Sequence, residues 1–155
     1  MPARVSPPET KEFQLEKLDE RQGIPTDEKT IVTIRLATVR QNSLRSKLFA
    51  EYIRELADNN GGKERVIFRL PLYDLISKEV ELTLVGCNIT KADGKEPLFR
   101  FKSDANGPFL DMRTDQFNDA FGTLDDETAA EIHSKVQEMN PHWIMGGVGD
   151  TDLGE

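Results

Sequence analysis

At 155 residues with one cysteine and a net charge of −8, the chain excludes a disulfide framework. Its acidity also argues against sequence-independent nucleic-acid binding, which needs Lys and Arg to displace counterions from phosphates. The length suits one domain that buries about 68–70% of its unfolded surface without metal or disulfide. The uncharged apolar patch around Leu82 to Cys87 is far too short for a bilayer. A soluble protein with no membrane partner, located in the cytoplasm, is the expectation. Charge is uneven: the net is −2 over residues 1–34, +4 over 35–69, zero over 70–102 and −10 over 103–155.

Residues 1–11 combine Pro2, Pro7 and Pro8 with charges and carry no apolar period, so they read as a flexible arm. Phe13, Leu15 and Leu18 begin an edge strand or a short amphipathic turn, and Gln22 to Asp27 is a connector. Thr30 to Leu36 is the clearest strand, rich in β-branched residues and strictly alternating. From Thr38 or Asn42 to about Asp58 the spacing predicts a helix whose stripe is Leu44, Leu48, Phe49, Tyr52, Ile53 and Leu56. Arg40, Arg45, Lys47 and Arg54 fall off that stripe and read as a solvated face. A second strand is expected over Arg65 to Leu70, ended by Pro71, so that strand, helix and strand make a small α+β or βαβ unit.

Leu72, Leu75, Ile76, Glu79, Val80 and Thr83 fit a helical period, while Val80 to Val85 also alternates; a helix from Leu72 to about Leu84 is favoured on length. Lys91 to Lys95 is a turn, Leu98 to Phe101 a short extended piece and Asp104 to Pro108 a loop. Thr114 to Trp143 then predicts two helices, the first capped by Thr114 with Phe117, Ala120, Phe121 and Leu124 in line, the second capped by Asp125 and ended by Pro141. In the second, Ala129, Ile132, His133, Val136 and Met139 or Asn140 share one side, and Glu127, Glu131, Lys135 and Glu138 fall on the others. Trp143 is either a core anchor or an exposed binding anchor. The tail 144–155 is glycine-rich and acidic and reads as flexible. The expected fold class is α+β: a small sheet with a central amphipathic helix and a C-terminal helical pair, in one domain over 12–143 with flexible termini.

The residues nominate no reaction. His133 and His142, the only histidines, have no second histidine or cysteine at ligand spacing, and two calcium-loop fragments, at Asp150 and at Asp104, lack the closing glutamate. Cys87 reads as a small buried filler rather than a reactive thiol. No catalytic residue, cofactor or metal site is assigned, and the chain is expected not to be an enzyme.

Phe117, Phe121, Leu124, Ala130, Ile132, Val136, Asn140, Pro141 and Trp143, with support from Cys87-Asn88-Ile89 and Asp93-Gly94, resemble the C-terminal region of some tail assembly chaperones of long-tailed bacteriophages. The likeness covers about half of the chain. It implies a non-enzymatic factor of the host cytoplasm that binds the helical tape-measure protein and recruits tail-tube subunits, in many cases also made as a longer frameshifted form. A groove near Phe117, Phe121, Val136 and Trp143, ringed by Asp115, Asp119, Asp125, Asp126, Glu127 and Glu131, is the expected partner site. A structural virion component of the head–tail junction or tail is the alternative, and a small enzyme or enzyme regulator a third class.

Overall fold

The computed structural model describes residues 2–59 and 72–143, with side chains from 2–51 and 73–143. In chain order the elements are β1 (Thr10–Gln14), α1 (Glu16–Gln22), β2 (Ile31–Arg35), α2 (Val39–Asn59), α3 (Leu72–Thr83), β3 (Leu84–Cys87), β4 (Phe101–Asp104), β5 (Gly107–Leu110), α4 (Thr114–Phe121) and α5 (Asp126–Met139), followed by a 3-10 turn at Pro141–Trp143. This is the expected α+β fold class.

Alternation in β2 sets the layering. Val32 and Ile34 are wholly buried while Ile31, Thr33 and Arg35 on the opposite face are half-buried, as a period of two requires when one face meets a core. The sheet is antiparallel in the order β1-β2-β3, with Phe13 opposite Val32 and Ile34 opposite Leu84. The ladder shifts register between Thr33 and Ile34, and beside that irregularity a Cβ on Gly86 would stand 3.0 Å from the Thr33 hydroxyl. Glycine is what lets the two strands approach there. The hairpin β4–β5 forms a separate two-stranded sheet.

Helix α5 packs on the core face of β2, α1 and α3 flank α5, and α2 packs on α3. Phe13, Leu15, Leu18, Val80, Leu84, Phe99, Phe117, Phe121, Ile132, Val136 and Trp143 complete one continuous apolar cluster with Val32 and Ile34. Pro141 stops α5 and Asn140 secures the stop. The Asn140 side chain accepts from the Ala37 amide at 2.7 Å and donates to the Arg35 and Val136 carbonyls at 3.2 Å each, which ties the helix end to the end of β2. Among the described residues no helix is long and apolar enough to cross a membrane.

Several boundaries differ from the sequence reading. Strand β1 begins at Thr10, two residues inside the stretch read as an arm, because its partner β2 offers an open edge. Phe13 and Leu15–Leu18 serve both proposed roles in succession, edge strand and then helix. The strand expected over Arg65 to Leu70, and with it the expected strand–helix–strand unit, lies outside the described residues. Helix α3 ends at Thr83 and the alternation from Leu84 is a real strand. The extended piece starts at Phe101 rather than Leu98, since Leu98 and Phe99 turn into the core. Gly107 and Pro108 belong to β5 rather than to a loop, with Gly107 at φ +107° closing the hairpin.

Candidate functional site

Four residues were expected to line a partner groove: Phe117, Phe121, Val136 and Trp143. All four are at most 1% exposed, so the groove expected there is filled by the protein's own core. The cause is aromatic stacking across elements: the Phe99 and Phe117 rings lie 5.4 Å apart and the Phe117 and Phe121 rings 5.5 Å apart, at 29° and 15°. Trp143 folds back as the core anchor, its indole N–H donating to Asn42 Oδ1 at 2.6 Å. The acidic ring divides as well. Asp125 is the α5 N-cap, accepting from the Thr128 amide at 3.2 Å, and pairs with Arg21 at 3.2 Å. Arg21 also reaches Glu127 at 3.8 Å, and Asp115 pairs with Arg113 at 3.1 Å. Glu131 is not on a solvent face: it is 7% exposed and accepts from the Lys17 and Leu18 amides at 2.9 and 3.0 Å, capping the N-terminus of α1. Thr114 is the first helical residue rather than the cap, and its hydroxyl donates to Glu81 at 2.6 Å.

A charged cluster stands beneath this stretch that the pattern of apolar residues did not reveal. Glu79, wholly buried on α3, receives Arg45 Nε at 2.6 Å on one oxygen and meets His133 Nε2 at 2.6 Å on the other. The Arg45 guanidinium also lies 5.2 Å from the Trp143 ring and 5.2 Å from the Phe49 ring, the geometry of cation–π attraction. Arg45, read as solvated, is therefore 8% exposed. The reason is the rotational phase of α2: the side that meets the domain carries Asn42, Arg45 and Phe49, one step round from Leu44 and Leu48. The i, i+4 spacing of Glu79 with Leu75 and Thr83, both buried, was the available clue that a carboxylate sat on an inner face.

That phase leaves Leu44 and Leu48 beside a groove between α2 and α3, closed at one end by α4. It holds about 630 Å³ and is lined by Leu44, Leu48, Tyr73 and Leu82 among Lys47, Glu51, Asp74, Lys78 and Glu81. Leu44 is 38% exposed and Tyr73 48%. Hydrogen bonds stiffen its α3–α4 wall: Ser77 Oγ donates to Asn118 Oδ1 at 2.7 Å and Lys78 Nζ pairs with Glu81 at 3.0 Å. Chemistry is sparse elsewhere. Among the described residues no group of three or more His, Cys, Asp or Glu stands together as a metal site. Burial pushes the Cys87 thiol up to about 11, which keeps it protonated and a weak nucleophile at neutral pH. The surface best suited to recognition is thus the α2–α3 groove. Compared with protein-family models, with curated proteins and with solved structures, the chain finds no match.

Proposed function

We propose that this protein works by binding another protein, as a tail assembly chaperone of the kind its C-terminal sequence resembles: it holds an amphipathic helix of the tape-measure protein and helps recruit tail-tube subunits in the host cytoplasm. The observation that supports the reading is the pairing of exposed Leu44 and Tyr73 on facing helices across a groove with an apolar floor and a rim of both charges. An amphipathic helix lays its apolar face into such a groove and meets the rim with its charged flanks. Partner binding thereby moves from the buried Phe117 cluster to a neighbouring surface built from α2, α3 and the start of α4.

The test is capture of partners by the tagged chain from the cells that express it, beside Leu44→Asp and Tyr73→Asp variants that melt at the wild-type temperature. Recovery of a long helical protein with a tube-forming subunit, lost in both variants, is the expected result. Recovery of the chain alone, or as a ring of its own copies, overturns the chaperone reading and favours a structural virion component.

A further inference from the structure

On the side of the sheet away from the core stands an arginine that no carboxylate among the described residues pairs with. Arg35, at the end of β2, is half-buried; its Nε is shut off from solvent with no hydrogen-bond partner, and no ion pair forms to it among the described residues. Burial alone pushes its guanidinium below the ordinary pKa, as happens to a cation that loses hydration with no anion in return. Three adjoining cavities of about 450, 200 and 130 Å³ share Arg35. The walls of the largest and smallest are Pro7 and Pro8 of the N-terminal stretch, the β4–β5 hairpin at Asn106–Phe109, and Thr38 with the first turn of α2 at Arg40 and Gln41. The third is walled by Leu82, Leu84, Val85 and Glu81, whose carboxylate is already taken by Lys78 at 3.0 Å and the Thr114 hydroxyl at 2.6 Å. Most buried arginines are held by a carboxylate. Here the place of that carboxylate is a cleft.

We infer that the Arg35 cleft binds a small organic monocarboxylate, its carboxylate on the guanidinium and its hydrocarbon body against Pro8, Pro108 and Phe109. The guanidinium fork matches a carboxylate in geometry and charge. Arg40 on the largest cavity adds a second, solvent-exposed cation that attracts anions into it. Asp104 stands on the same wall and repels a second negative charge, so a singly charged ligand is preferred over a phosphate dianion. The apolar walls reward chain length, because each buried methylene adds about 0.8 kcal/mol, or roughly fourfold in affinity.

The experiment is calorimetric titration of the whole chain with hexanoate, acetate and inorganic phosphate at constant ionic strength, beside Arg35→Met and Arg40→Gln. Expected are saturable hexanoate binding, acetate weaker by at least about tenfold, loss of about tenfold or more in Arg35→Met and a few-fold loss in Arg40→Gln. Amide-shift mapping on the unmutated chain keeps the test independent of whether Arg35→Met folds: hexanoate must move the amides of Arg35, Gly107 and Phe109. Absence of saturable binding by any of the three, unchanged hexanoate affinity in Arg35→Met, or shifts centred elsewhere overturn the site. Phosphate binding tighter than hexanoate overturns the ligand class.

Discussion

Replacing Glu79 by leucine removes the carboxylate on which Arg45 and His133 converge. The side chain is 0% exposed, and its partners are 10% and 13% exposed at their own side chains, so water screens the cluster little. Both contacts are short, at 2.6 Å, and bonds to an ionised carboxylate are shorter and stronger than neutral ones. Taking one member from a buried ionic cluster costs about 3–5 kcal/mol, which in a chain of this size lowers the melting temperature by about 6–20 °C. Urea unfolding followed by far-UV circular dichroism, and by the fluorescence of Trp143, measures it; an unchanged urea slope shows that the loss is one of stability rather than of compactness. The companion variant replaces Arg45 by Met and both Glu79 and His133 by Leu. Because a buried ionic cluster replaced whole by apolar side chains is often neutral or stabilising, this triple variant is expected to regain most of the loss. A Glu79→Leu cost below about 1 kcal/mol, or a triple variant as unstable as the single, would refute the claim that the cluster is a desolvated unit.

Three further outcomes follow from the same geometry. Trp143→Ala, at a site 1% exposed, should lose about 3–5 kcal/mol in urea unfolding; a folded variant of wild-type stability would return Trp143 to the status of a binding anchor. Glu131→Ala frees the Lys17 and Leu18 amides and should cost about 0.5–2 kcal/mol, with faster amide exchange in α1, whereas exchange unchanged there contradicts the cap. Stability should also fall in acid. Burial raises the Asp19 pKa, but hydrogen bonds from Thr30 and Gln14 outweigh it and leave the carboxyl below its usual 3.8, and the Thr128 hydroxyl does the same for Asp125. Depressed folded values mean that this stabilisation is complete above about pH 5 and is lost as pH falls through 3.8 and the lower folded values. Asp19→Asn should flatten the acid limb of a stability–pH curve; an unaltered limb would assign acid sensitivity to other groups.

The strongest signals set by a residue's neighbours along the chain agree with the structure, although the cap expected at Thr114 falls one residue earlier. The alternation of β2, the Asp125 cap, the Pro141 stop and the helical period from Leu72 are local signals, set by backbone sterics and by hydrogen bonds within a few residues. The helix over α2 was legible for the same reason, since an apolar stripe at a 3.6-residue period marks a helix whatever it packs on. Which side of that helix faces inward was not. Leu44 and Leu48 lie along the groove while Arg45 turns to the core, because Glu79, 34 positions further on, and Trp143, 98 positions further on, supply a carboxylate and an indole face there.

The candidate site divides on the same line. By itself the sequence determined the α+β class, the two C-terminal helices and the aromatic spacing of Phe117 and Phe121, all properties of residues a turn or two apart. Only the tertiary structure decided that these aromatics close on each other with Phe99, that Glu131 caps a helix more than a hundred residues earlier, and that no carboxylate among the described residues forms an ion pair with Arg35. Charged side chains carry the ambiguity, for their location depends on partners that sequence distance hides: a carboxylate or guanidinium is expensive to bury alone and inexpensive to bury together. Apolar periodicity records a preference of one segment, whereas the pairing of charges is a property of the assembled fold.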